Sequence, residues 1–205
     1  MVNEEDIELF WTRGDIHSRV HFALTKANLI NKKLEIEDLF PIDQYHARGI
    51  AATVDLGKRM PIKKNQSILD IGCGLGGPAR YYAKEFGCIL TGIDITPSFV
   101  EIGNEFNKIS SMSNKVELKV GKGEVLDYKN ETFDGAYSQH VTMNISNREK
   151  FFSEAFRVLK KGGFFAFTEH GLGIKGNPIF PLPSVTGRWG FLLSLIHISE
   201  PTRPY

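Results

Sequence analysis

Two spacing regimes divide the chain. In residues 4–39 the apolar positions Ile7, Phe10, Val20, Leu24, Ala27 and Leu34 fall at broken helical intervals, and Pro41 is expected to end that region. Tyr45–Met60 reads as a second helical stretch, stopped by Pro61. From Ser67 the pattern alternates between short apolar runs and amphipathic stretches. Strands are predicted at Ser67–Ile71, Ile89–Ile95, Val116–Val120, Phe133–Ser138 and Phe164–Thr168. Between them, Pro78–Phe86, the stretch from Pro97 through Phe106, and Asn147–Lys161 carry apolar residues on one helical face. Thr96-Pro97 supplies a cap and a first-turn proline, and Gly162-Gly163 is expected to stop the last helix.

Strand–helix alternation with connections this short demands right-handed crossovers. The expected fold is α/β: a Rossmann-like, doubly wound, mostly parallel sheet with an N-terminal helical lid and without its final antiparallel edge strands. The expected divisions are residues 1–60 as lid, 61–183 as core and 184–205 as a tail foreign to the fold. Ligands of such sheets bind beyond the carboxyl ends of the strands. That rule selects Gly72–Gly77, Asp94–Thr96, Gly121–Glu124, Gln139–Asn144 and Glu169–Gly171.

The first of these segments carries the strongest signal. Gly72, Gly74 and Gly77 fit the G-x-G-x-x-G spacing between a strand and a helix, with Cys73 and Gly76 inside the loop. Asp94 closes the second strand, where a carboxylate can take both ribose hydroxyls. An adenosine cofactor follows from this arrangement. Asp70, two residues before Gly72, would repel a pyrophosphate but suits an ammonium group. A nicotinamide-dependent reductase is the second reading. It is disfavoured by Asp70 and by the lack of a Tyr-x-x-x-Lys pair in the central helices. A cofactor-binding fragment without turnover is the third.

The run ILDIGCGLGGPARYYA, followed by GIDIT, resembles motifs I and II of the class I S-adenosylmethionine-dependent methyltransferases, and the resemblance extends over roughly residues 45–183. It implies that Asp70, Gly72 and Gly74 cradle the amino-acid part of S-adenosylmethionine, that Asp94 holds the ribose and that Ile95 packs on the adenine. Asp43-Gln44-Tyr45-His46, Ser138–Ile145 and Phe180–Pro183 resemble small-molecule N-methyltransferases of the sarcosine/dimethylglycine and phosphoethanolamine type. These imply a lid over the methyl donor and a small acceptor, taken here as an amine. The chain departs from the pattern at Lys122, where many relatives carry an acid that accepts from the adenine amino group. Lysine has no acceptor, so Gly123 backbone or Glu124 would substitute.

Composition narrows the partners. Basic and acidic residues number 25 and 24, for a net charge of +1. That is no footprint for nucleic acid. Two cysteines, an acidic start and no apolar run of membrane length point to a cytoplasmic protein without a membrane partner. No metal is expected: His17 and His21 have helical metal-ligand spacing but no third ligand. His140, His46 and Tyr45 are the catalytic candidates at the rim, Gln139 joins the cofactor set, and Asn144, Glu169 and His170 are substrate candidates. Glu169 is expected to pair with a cationic amine. The phenylalanines from Phe151 to Phe167 match helix and strand faces and are read as core. Residues 194–205 resemble the translation of a sequencing-adaptor oligonucleotide, so 184–205 are expected to pack poorly.

Overall fold

A computed structural model describes residues 15–30 and 32–169, and the backbone of 197–198. Six helices accompany the sheet among these residues: α1 (Ile16–Lys26), α2 (Ile36–Asp43), α3 (Ile50–Gly57), α4 (Gly77–Phe86), α5 (Pro97–Ile109) and α6 (Arg148–Arg157). The strands are β1 (Ser67–Ile71), β2 (Ile89–Asp94), β3 (Val116–Val120), β4 (Phe133–Gln139), β5 (Leu159–Thr168) and β6 (His197–Ile198). Their order is β3-β2-β1-β4-β5-β6; the first five are parallel, and β6 pairs antiparallel with β5. β6 falls within the expected tail; the rest of 184–205 lies outside the described residues.

Both faces of the sheet are buried, so adjacent strand residues serve different cores. Ile68, Tyr137 and Phe164 pack under α3 and α4, while Leu69, Ala136 and Phe165 pack under α6 with Phe151. Phe151, Phe164, Phe165 and Phe167 are buried core, as their spacing predicts. A third cluster joins α1 and α2 to α5 through Ile16, Val20, Leu39, Phe99 and Phe106. The N-terminal helices are thus seated on the core. No helix among the described residues is long and apolar enough to cross a membrane.

Local corrections have local causes. Pro41 lies inside α2 rather than ending it. Proline costs a helical hydrogen bond there, but the buried Asp43 anchors the last turn to Arg80. The run from Tyr45 becomes helical only at Ile50, because Arg48 and Gly49 adopt positive φ. Thr96 occupies the N-cap of α5 without a side-chain cap bond; its N–H donates instead to Asp94 Oδ1 at 2.9 Å. The last helix stops at Arg157, and Gly162-Gly163 lie within β5. There the register against β4 shifts between Phe133 and Gly135, and the glycines take up the extra chain of a bulge.

Candidate active site

The strand order reverses at β1, which is flanked by β2 and β4. A cavity of about 570 Å³ opens beyond the carboxyl ends of these strands. Its floor is the loop after β1. The Gly72 and Cys73 N–H groups donate to the Ile93 carbonyl at 2.8 and 2.9 Å, which ties that loop to β2. Gly72 has φ of +83°, and a Cβ there would lie 2.3 Å from Val141 Cγ2. Gly74 has φ of +52°, and a Cβ there would meet nothing within 4 Å. Backbone is bared to the cavity at Gly74, whereas Gly72 is bare to admit the rim. Gly76 does not line the cavity: a side chain there would strike Leu118 and Arg80. Its expected cofactor role is replaced by packing.

Two carboxylates face this loop. Asp94 accepts from Gly74 N–H at 2.8 Å and from Thr96 N–H at 2.9 Å, so it shapes the loop before meeting any ligand. Burial raises its pKa against those two bonds. Asp70 is buried and accepts from Tyr137 Oη at 2.6 Å. The parallel register sets Tyr137 opposite Asp70. Burial pushes the Asp70 carboxyl up to about 7; the Tyr137 bond opposes the rise and nearby Asp94 adds to it. An ammonium placed beside Asp70 would reverse the cost of ionising it. Cys73 lines the cavity with a buried thiol whose pKa stands well above the ordinary value, chiefly through burial.

Ile95 lines the far wall, as do Lys122, Gly123 and Glu124. A Cβ at Gly123 would be 2.6 Å from the Phe151 ring, so only backbone fits between core and cavity there. On the rim, Tyr45, His46, Gln139, His140 and Asn144 all line the cavity. Tyr45 is 43% exposed and packs on Phe99 with ring centroids 5.8 Å apart. His140 sits at φ of +58°, an uncommon conformation for a side-chain-bearing residue, with its N–H on the Thr168 carbonyl. Its ring stacks on His46 with centroids 5.8 Å apart. Gln139 is 7% exposed, and its Nε2 has no hydrogen-bond partner among the described residues. A buried amide donor at a cavity wall is expected to meet a ligand acceptor.

One expected substrate residue falls away from the cavity. Glu169 does not line the cavity; its Oε1 accepts from Val141 N–H at 2.9 Å and Thr142 N–H at 2.6 Å, so it anchors the rim loop instead of awaiting a cation. His170 lies outside the described residues. His17 is 3.5 Å from Glu101. Among the described residues no group of three or more His, Cys, Asp or Glu is placed to hold a metal ion.

The open cradle over Gly74, the buried Asp70 and the unmet Gln139 amide fit a small, polar-ended adenosine ligand. Residues 69–167 match the family model of the methyltransferase domain. The core is a class I S-adenosylmethionine-dependent methyltransferase domain. The sterol 24-C-methyltransferase of Debaryomyces hansenii is 32% identical over 114 residues, covering 56% of this chain and 30% of that protein. The sarcosine/dimethylglycine N-methyltransferase of Aphanothece halophytica is 33% identical over 129 residues, covering 63% of this chain and 46% of that protein. The chain therefore spans about a third to a half of the length of these curated relatives. A geranyl diphosphate C-methyltransferase from Streptomyces coelicolor, solved with S-adenosyl-L-homocysteine, shares the fold at a TM-score of 0.56 and 21% identity, covering 58% of this chain and 44% of that one.

Sequence reasoning named Asp43–His46 as a segment beside the site but missed the ion pair that seats it. Asp43 lines the cavity, yet its carboxylate is bound by Arg80, and both side chains are buried. Arg80 also donates to the Leu75 carbonyl in the glycine loop and to Asn107 on α5. A Cβ at Gly77 would lie 2.5 Å from the Asp43 carbonyl oxygen, so the third glycine of the motif admits the end of α2. Asp43 was legible only as part of that segment, and nothing in the spacing paired it with Arg80.

Proposed function

We propose that this protein transfers a methyl group from S-adenosylmethionine to a small-molecule acceptor, an amine in its neutral form. The observation that carries the reading is the pairing of Asp70 and Asp94 across the open backbone at Gly74. Asp70 would hold the amino-acid ammonium, Asp94 the ribose hydroxyls, and Ile95 the adenine, with Gly123 and Glu124 beside Lys122 at its edge. The cofactor, when bound, supplies an already activated methyl group. The protein's own task is then placement, which can supply roughly 7–11 kcal/mol of the barrier.

The acceptor side is read from the rim. With Glu169 committed to the loop, the described rim residues offer no carboxylate to a cation, which favours an uncharged amine. His140 and His46 are the groups able to take a proton near neutral pH, and burial lowers the pKa of His46 and keeps it neutral. Tyr45 covers the acceptor from the lid, and Asn144 orients it. Residues 1–60 act as lid and 61–183 as core. The near-zero net charge supports a cytoplasmic enzyme acting on metabolites, without a nucleic-acid or membrane partner.

Calorimetry against S-adenosylhomocysteine and a nicotinamide dinucleotide tests the cofactor: the first binds and the second does not. His140→Ala should lower turnover on an identified amine at least tenfold with little change in S-adenosylhomocysteine affinity. Methylation confined to nucleic acid or protein would defeat the substrate class.

A further inference from the structure

The lid-side polar groups form a chain whose direction follows from donor and acceptor chemistry alone. Arg80 Nη2 donates to Asp43 Oδ2 at 2.9 Å. A carboxylate only accepts, so the Gln44 group next to it must be the amide Nε2, 3.3 Å from Asp43 Oδ1. That orientation turns Gln44 Oε1 toward Thr53, whose Oγ1 donates to it at 2.7 Å. A hydroxyl has one proton. Thr53 Oγ1 therefore faces His46 Nε2, 3.1 Å away, as an acceptor, and the imidazole must donate. Every donor in the chain points toward Asp43.

We propose that Asp43, Gln44 and Thr53 are positioning residues that hold His46 in its Nε2–H tautomer, leaving Nδ1 as the nitrogen that takes up a proton at the rim of the methyl-transfer site. The proposal rests on the methyltransferase reading only for its purpose; the tautomer itself stands on the contacts. The other side of the ring makes the competing contact: Nδ1 lies 3.4 Å from the Ala47 carbonyl, which favours a proton there, but the Thr53 contact at 3.1 Å is shorter and its direction is fixed by Gln44. A proton arriving at Nδ1 from the N–H of the methylated ammonium product would leave its electron pair on that nitrogen and turn the Ala47 contact into a hydrogen bond. The resulting imidazolium would have donors matched at both nitrogens. Thr53 is fully buried, and its carbonyl accepts from Tyr82 Oη at 2.8 Å, so the acceptor oxygen for His46 is fixed by the core. The ring of His46 in turn stacks on His140 at an interplanar angle of 12°, which carries the orientation to the opposite wall.

The chain gives a test that packing alone does not. Gln44 makes no hydrogen bond to His46, but removing its Oε1 frees the Thr53 proton to turn toward the imidazole. Histidine side-chain nitrogen–proton correlation spectra of the full chain at pH 8, with and without S-adenosylhomocysteine, read the tautomer directly. The wild type should show His46 as Nε2–H. Gln44→Met and Thr53→Val should both shift it to Nδ1–H, the tautomer that donates to Ala47, while Thr53→Ser should keep the wild-type pattern. An Nδ1–H ring in the wild type, or a His46 tautomer indifferent to both Gln44→Met and Thr53→Val, overturns the proposal. Should Thr53→Val not fold, Gln44→Met decides alone. A wild-type chain that shows the tautomer but does not bind S-adenosylhomocysteine would defeat the function and leave the relay standing.

Discussion

The two walls of the cavity are built from different materials. The cofactor wall is backbone: amides of residues 72–74 and 96, bent by glycine and tied by Asp94 and the Ile93 carbonyl. The opposite wall is side chain: Arg80, Asp43, Gln44, Thr53 and His46, joined across 37 positions of sequence at its widest link. Backbone geometry needs particular residues at particular neighbouring positions, so it leaves a motif. A side-chain relay needs only that distant residues meet, so it leaves none. The difference also separates labour: a wall of fixed amides suits one invariant ligand, and a wall of replaceable side chains suits a variable acceptor.

The largest effect that would sharpen this contrast is at Asp70. Its raised pKa means the folded state holds the proton more tightly than the unfolded chain. The stabilising contribution is complete below the ordinary value of 3.8 and is lost as pH climbs to about 7. A shift of this size corresponds to roughly 4 kcal/mol. Asp70→Asn keeps an acceptor for Tyr137 and removes the ionisation. It should melt higher than the wild type at pH 8, by several degrees, with the gap closing toward pH 4. The same variant should lose about 1.5–3 kcal/mol of S-adenosylhomocysteine affinity, the scale of a hydrogen bond to a charged group. Equal melting at pH 8 would remove Asp70 as a site of stored cost.

Next in size is a pair inside one loop. Gly72→Ala must place a methyl 2.3 Å from Val141 at a positive φ. Strain and overpacking together should cost about 2–4 kcal/mol of stability. Gly74→Ala faces open space, so it should cost only about 1 kcal/mol for its backbone, yet fill the cradle and weaken S-adenosylhomocysteine binding more than tenfold. Denaturant melts and calorimetry on both variants would check this. If Gly74→Ala bound normally, the backbone wall would not be where the cofactor lies.

The strands, their parallel order and the floor at Asp70, Gly72, Gly74 and Asp94 were legible because each rests on spacing within a few residues. The neighbours of Gly76 and Gly77 were illegible for the same reason: spacing says a glycine is needed, not which neighbour needs it. Leu118 and Arg80 crowd the first, and Asp43 crowds the second. The late end assigned to the last helix came from reading Gly162-Gly163 as a stop, when β4 pairing had already claimed Leu159. Tyr137 was illegible until strand register set it opposite Asp70. Glu169 was legible as a rim residue but not in its partner, because a strand-end carboxylate can serve a ligand or a neighbouring loop equally well.

That ambiguity yields the smallest expected effect and the finest test of the two-wall picture. Glu169 Oε1 holds the N–H groups of Val141 and Thr142, and Val141 is the side chain that fills the space over Gly72. Burial raises the Glu169 pKa, so a neutral isostere approximates its acid form. Glu169→Gln retains an acceptor oxygen and loses its charge, which should cost about 1 kcal/mol through the difference between charged and neutral hydrogen bonds. A loosened rim loop should raise the KM for the acceptor severalfold while leaving S-adenosylhomocysteine affinity within twofold. A loss of turnover by orders of magnitude would restore Glu169 as a partner of a cationic amine. A loss of cofactor affinity as large as that of Asp70→Asn would mean that Val141 transmits the rim to the floor, and that the two walls work as one.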